Sequence, residues 1–269
     1  MTSKEKLLFK TSRNFHICVG LDTDINKIPS KFLKSQDPVF EFNKAVIDST
    51  SEYAAAYKLN LAFYEKVEKS NYETLHKTID YIPDQFLVIG DGKKGDIGNT
   101  MQKYAQLIYK EYKFDACTLN PLMGYDSINP FLDYSDKLNF VISLTSNIGS
   151  SDFEKLKMAD GSFLFQLIIK KVSEWDKNNN LAIVFGATKI DELRENIPLF
   201  KNLSVLLPGV GTQGGNLEEV VRLFLKNNKE DYLINISRSL IYCDNSYEFE
   251  KVLSNKIEDY HTQILNIKR

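Results

Sequence analysis

The sequence predicts an α/β chain folded as a (β/α)8 TIM barrel, on three observations. Short, near-continuous apolar runs alternate with longer amphipathic stretches, eight such runs can be counted, and each ends in small or polar residues. In order, the runs are 15–22, 54–60, 86–93, 115–120, 139–146, 181–187, 204–210 and 232–239. Segments such as 40–53, 99–112, 161–175 and 216–227 carry apolar residues three and four apart and read as helices. Strands that are apolar throughout need cover on both faces, which a parallel sheet wrapped by helices supplies. Eight units favour closure of that sheet, and an open doubly wound sheet is the structural runner-up. The Asn-rich pieces 176–181 and 226–231 read as solvated loops before the sixth and eighth strands, not as domain linkers.

At 269 residues the chain is expected to form one barrel domain over 1–269. Lys plus Arg number 34 against 36 Asp plus Glu, so no basic footprint suggests nucleic acid or an anionic membrane as partner. No segment has the length of a membrane span or of a signal-peptide core, and a cytoplasmic location is expected. Cys18, Cys117 and Cys243 lie far apart and read as reduced thiols. His16, His76 and His261 are equally scattered, so neither a Ser-His-Asp triad nor a histidine metal cluster is visible. Acid-base chemistry here falls to Lys and Asp.

In a (β/α)8 barrel, reactive groups project from the C-terminal ends of the strands. Those ends supply Asp22, Lys58, Asn60, Asp91, Lys93, Asn120, Ser146, Gln213 and Arg238. Asp91 and Lys93 are two apart on one strand and are expected to share a face. Asp96 follows a short turn later, and Lys58 ends the neighbouring strand, so an alternating Lys-Asp-Lys-Asp array is expected. Buried charge of that kind is costly unless paired, which makes function the reason to keep it. The competing reading is a solvated charged loop. The seventh run ends in Pro208-Gly209-Val210-Gly211-Thr212-Gln213-Gly214-Gly215, and Arg238 follows the eighth. Glycine-exposed backbone N–H groups together with a guanidinium suit a phosphate.

These residues carry a resemblance to the orotidine 5′-phosphate decarboxylase family. The chain is similar to it in Asp-x-Lys-x-x-Asp-Ile-x-x-Thr, formed by Asp91, Lys93, Asp96, Ile97 and Thr100. It also resembles the family in Gly20-Leu21-Asp22, Lys58-x-Asn60, Thr145-Ser146-Asn147 and the Gly-rich segment 208–215, so the likeness runs from about residue 15 to about 245. The resemblance implies cofactor-free and metal-free conversion of orotidine monophosphate to uridine monophosphate and CO2 in pyrimidine biosynthesis. It implies Lys93 as proton donor to C6 of the pyrimidine, Asp91 and Asp96 as the charge network around it, and Lys58 between Asp91 and the ribose. Asp22 would hold a ribose hydroxyl, Ser146 the pyrimidine amide edge, Gln213 and Arg238 the phosphate, with Asn60 and Gly211 also on the substrate. It further implies a homodimer with shared sites, in which Asp96 and Thr100 reach into the neighbouring subunit's site and Ile97 packs beside the pyrimidine there.

Three positions depart from the family pattern. The family more often has Ala at 92 and Pro at 98, where this chain has glycine at both; Gly98 is similar to a divergent, mostly bacterial branch. Ile148 stands where that branch often has Pro. Two other functions are weighed: a metal-dependent sugar-phosphate decarboxylase of the same barrel type, disfavoured because those enzymes have Glu where this chain has Asp91, and a non-catalytic uridine-nucleotide-binding barrel.

Overall fold

The computed structural model describes residues 1–65, 69–210 and 214–268. In chain order its main elements are α1 (Ser3–Thr11), β1 (Ile17–Gly20), α2 (Pro38–Thr50), β2 (Ala54–Asn60), α3 (Lys69–Tyr81), β3 (Leu87–Lys94), α4 (Gly98–Gln106) and β4 (Ala116–Leu119). They continue as α5 (Asn129–Leu132), β5 (Leu138–Leu144), α6 (Leu164–Trp175), β6 (Leu181–Phe185), α7 (Ile190–Asn196), β7 (Ser204–Pro208), α8 (Leu217–Lys226), β8 (Tyr232–Ile236), α9 (Arg238–Ile241) and α10 (Phe249–Lys268). The eight strands pair in sequence order, all parallel, and β1 pairs with β8 to close the barrel. The alternation seen in the sequence therefore resolves as a (β/α)8 barrel rather than an open sheet.

Local chemistry sets the helix boundaries. Asp37 caps α2 by accepting from the Phe40 N–H at 3.1 Å, with Pro38 in the first turn where its missing N–H costs nothing. Phe42, Val46 and Ile47 then form the buried stripe of that helix. Asn216 caps α8 in the same way, with Glu218 and Glu219 in the first turn and Lys226 in the last, all aligned with the helix dipole. The stretch 99–112 is not one regular helix: α4 passes into a π turn at Leu107–Glu111, and the adjacent Ile108 and Tyr109 are both buried there.

Two apolar layers hold the barrel. The outer one lies between strands and helices and includes Phe42, Phe86, Phe165, Phe224 and Leu253. The inner one fills the barrel with Cys18, Ile89, Phe140, Ala182, Leu206 and Leu233. Leu7 belongs to that inner layer, because α1 lies across the N-terminal mouth. Its polar side chains are tied to the barrel: Lys4 Nζ donates to Ser204 Oγ at 2.7 Å, and Lys6 Nζ to the Asp115 carboxylate at 2.9 and 3.0 Å. The Asn-rich pieces are loops as expected, but Asn180 is buried and not solvated. Cys18 and Cys117 are buried free thiols and Cys243 is a half-buried one. Among the described residues, no helix is long and apolar enough to cross a membrane.

Candidate active site

The eighth apolar run reaches 239 in sequence, yet β8 stops at Ile236. Ser237 leaves the extended region (φ −117°, ψ −102°), and Arg238 opens α9. This break turns Ser237 and Arg238 towards the C-terminal mouth, where they line a cavity of about 290 Å³. Asp22 lines it from just past β1, Lys58 and Asn60 from β2, Asp91 and Lys93 from β3, and Ser146 from just past β5.

Four of these form the alternating array. Lys58 Nζ donates to Asp91 Oδ2 at 2.7 Å and faces Asp22 Oδ1 at 3.7 Å, and Lys93 Nζ donates to Asp91 Oδ1 at 2.7 Å. Depth separates the two lysines. The Lys58 side chain is 6% exposed, whereas the Lys93 side chain is 51% exposed at the mouth. Burial alone would lower the Lys58 pKa, but the Asp91 and Asp22 carboxylates outweigh it and hold the ammonium above its ordinary value. For Asp91, burial pushes upward, and Lys58 and Lys93 overcome it, keeping the carboxyl well below the usual range. The buried pair is thus fixed as ions, while the exposed Lys93 is the one ammonium of the array facing open space. Beneath them Cys18 stays a thiol, its pKa pushed up to about 12 mainly by burial.

Asp91 and Lys93 do point to one cavity, though not by simple alternation along a strand. The β3–β4 register shifts between Gly90 and Lys94, and Lys93 has φ +44°. The Lys93 N–H donates to Thr118 Oγ1 at 2.9 Å. Asp96, Ile97 and Thr100 do not line their own chain's cavity. The Asp96 carboxylate instead accepts from the Ile97 N–H at 2.8 Å, and Ile97 is 55% exposed. Within one chain, then, the array is Asp22-Lys58-Asp91-Lys93, without the second motif carboxylate. Asn120 also lies outside the cavity; its Oδ1 accepts from the Leu122 N–H at 3.1 Å and shapes a turn. Gly211 and Gln213 lie outside the described residues.

Residues that sequence reasoning missed complete the lining. Thr118 donates to Asp91 Oδ1 at 2.8 Å. Ser237 Oγ donates to Asp22 Oδ2 at 2.7 Å, leaving Asp22 Oδ1 without a hydrogen bond from the described residues. Asn235 on the cavity floor likewise has an unbonded Oδ1. Buried polar atoms with unused capacity at a cavity wall suit a polar ligand. Ser237 also explains Gly20, where an added Cβ would sit 2.7 Å from Ser237 Cβ.

The departures from the family pattern have local accounts. At Gly92 an added Cβ would meet Leu61 Cδ1 at 2.9 Å and Lys94 Cε at 3.0 Å, so these two side chains occupy the space of an alanine methyl. Gly98 has φ +52°, which a proline ring fixed near −65° cannot adopt. Ile148 is 92% exposed in the loop after β5.

Comparison with known proteins adds an independent line. Residues 16–248 match the family model described as Orotidine 5′-phosphate decarboxylase / HUMPS family. An orotidine 5′-phosphate decarboxylase of Porphyromonas gingivalis is 44% identical over 253 residues, covering 93% of this chain and 91% of the relative. Among solved structures, Leishmania donovani OMP decarboxylase superposes with TM-score 0.80 at 30% identity, over 97% of this chain and 99% of that one. Leishmania donovani UMP synthase gives TM-score 0.83 at 34% identity, over 95% of this chain but 56% of that one, so this chain spans little more than half of it.

Proposed function

The chain belongs to the orotidine 5′-phosphate decarboxylase / HUMPS family, and from that premise we propose that it converts orotidine monophosphate to uridine monophosphate and CO2 without a cofactor, as a step of pyrimidine biosynthesis. The observation that carries the reading is the Asp22-Lys58-Asp91-Lys93 array, with one half-exposed ammonium held against a buried carboxylate at the barrel mouth.

The chemistry follows from that array. Breaking the C6–carboxylate bond leaves an electron pair on C6 with no simple route for delocalisation, so the barrier must fall by electrostatics. The Lys93 ammonium stabilises the developing charge, then its N–H proton passes to C6 as CO2 departs, and the neutral amine regains a proton from solvent. Because the charge on C6 exists fully only near the transition state, the interaction accelerates the step rather than merely tightening binding. Arg238, with Gln213 and Gly211, takes the phosphate; Asp22 accepts a ribose hydroxyl; Asn60 contributes nearby, Lys58 links the ribose to Asp91, and Ser146 meets the pyrimidine amide edge. Binding energy from the remote phosphate orients the ring.

The reading includes a homodimer. Asp96, Ile97 and Thr100 sit outside their own cavity, and exposed Ile97, Leu122, Ile148 and Phe153 in the loops after β3, β4 and β5 support burial of that face. A partner's Asp96 would bring the second carboxylate to Lys93, with Thr100 and Ile97 beside the substrate.

Orotidine monophosphate mixed with the purified protein in excess chelator tests the reaction. The orotate absorbance should fall and uridine monophosphate should accumulate. Activity that vanishes with chelator and returns with magnesium would favour a metal-dependent sugar-phosphate enzyme instead, and uridine monophosphate binding without turnover a nucleotide-binding barrel. Shared sites are tested by mixing inactive Lys93→Ala and Asp96→Ala chains after reversible dissociation. Half of the dimers are then mixed, each with one intact site, so roughly a quarter of wild-type activity should return. No recovery in demonstrably mixed dimers would rule out sharing.

A further inference from the structure

Lys93 has a backbone conformation that residues with a Cβ seldom adopt, and such a conformation persists only where neighbours enforce it. In an unbroken β3–β4 ladder its N–H would meet a backbone carbonyl. At the register shift it meets the Thr118 hydroxyl instead. A threonine hydroxyl has a single proton to give. With its oxygen accepting from the Lys93 N–H, it gives that proton to Asp91 Oδ1, the same oxygen that receives the Lys93 ammonium. The hydrogen bonds therefore close a ring through Lys93 N–H, Thr118 Oγ1, Asp91 Oδ1 and Lys93 Nζ. Thr118 is buried on β4, and its branched Cβ restricts the hydroxyl to few rotamers.

We infer that Thr118 is a positioning residue for the decarboxylation: its hydroxyl holds Lys93 in the left-handed conformation and orients the Asp91 carboxylate, so that the ammonium arches back over the cavity. It acts through Lys93 and Asp91 and touches no reacting atom. The inference rests on the decarboxylase reading. Its weight comes from the double role of one oxygen, which fixes both the backbone and the side-chain partner of the proposed proton donor.

The test separates the hydroxyl from the methyl. Thr118→Val keeps the shape and loses the hydroxyl, while Thr118→Ser keeps the hydroxyl and loses the methyl. Thr118→Val should lower kcat on the order of 10- to 100-fold, the scale of a small misplacement of a reacting group. Its affinity for uridine monophosphate should stay within about threefold, and Thr118→Ser should match the wild type within about threefold in both. Wild-type turnover by Thr118→Val, or a Thr118→Ser variant as slow as Thr118→Val, overturns the inference. Should Thr118→Val fail to fold by circular dichroism, Thr118→Cys decides, since a thiol is a weak donor and acceptor of serine's size. Slow turnover by the cysteine variant with a sound serine variant supports the inference, and equal rates overturn it. A wild type inert towards orotidine monophosphate overturns the decarboxylase reading as well, which separates the two failures.

Discussion

Two lysines lie buried at opposite ends of the same barrel, and their surroundings differ in kind. At the N-terminal mouth, Lys4 Nζ donates to Ser204 Oγ and to the Asn202 carbonyl, with Asp231 at 3.8 Å. Asp231 is in turn bonded by Lys229 Nζ at 2.8 Å, and Lys229 also donates to the Lys201 carbonyl. Burial outweighs these partners and lowers the Lys4 pKa. At the C-terminal mouth, two carboxylates raise that of Lys58, and Asp22 Oδ1 and Asn235 Oδ1 accept no hydrogen bond from the described residues. The Lys4 ammonium is bound within its own network, whereas the cavity wall around Lys58 keeps hydrogen-bonding capacity for a ligand. Satisfied polar groups stabilise a fold, whereas unsatisfied ones at a cavity cost stability and are retained for binding.

The comparison predicts that substitutions at the two ends affect different measurements. The largest effect belongs to the C-terminal mouth. Lys93→Ala should reduce kcat by about 10²- to 10⁴-fold, the range for removing a positioned proton donor, while calorimetry still detects uridine monophosphate binding; an undiminished steady-state rate in the folded variant would remove Lys93 from the chemistry. A smaller effect, on stability alone, belongs to the other end. Lys4→Met should lower the unfolding free energy by about 2–3 kcal/mol, since it breaks a buried polar network. Denaturant titration gives the stability and the orotate assay the rate, and a loss of kcat would blur the division between the two ends.

The smallest expected effect also lies at the N-terminal end and depends on pH. His16 is buried, its Nε2 facing the Lys268 ammonium at 2.9 Å and its Nδ1 the Tyr232 carbonyl at 3.0 Å. The network assigns Nε2 as acceptor and Nδ1–H as donor. Burial first, then the Lys268 charge, lowers its pKa from 6.5 to about 3. The unfolded chain therefore takes up a proton that the folded chain refuses, and stability present above pH 6.5 is lost as pH falls towards 3. Between pH 7 and 5 this contributes about 1–2 kcal/mol of destabilisation. Thermal melts of wild type and His16→Phe across that interval should differ in slope, the variant being less acid-sensitive; parallel slopes would show that His16 does not titrate in this way.

The parts of the molecule legible from sequence are those whose burial is apolar. The run 54–60 coincides with β2 because it is apolar up to the charged end that the site uses. The helix α1 left no such trace. Its buried face is Ser3, Lys4, Leu7, Lys10 and Thr11, so hydrophobic periodicity could not reveal it. The same contrast runs through the site. Asp91, Lys93 and Lys58 stand out because charges at the ends of apolar strands are conspicuous. Thr118 and Asn235 do not, since a polar residue within a strand carries no mark of the partner it will meet across the barrel. The left-handed Lys93 was equally hidden, because it depends on a hydroxyl 25 positions further along.

Gly20 and Ser237 meet where the first strand closes on the last, with no room for a side chain between them. Asp22 and the Ser237 hydroxyl that orients it are 215 residues apart in sequence. The residues just past the first strand supply the carboxylate and those just past the last strand the hydroxyl that holds it, so neither edge of the sheet completes this wall of the cavity alone. Affinity for nucleotide would thus emerge only when the final strand docks, and a nucleotide bridging Asp22 and Arg238 would act as a latch, favouring the sealed barrel over one still open at that seam.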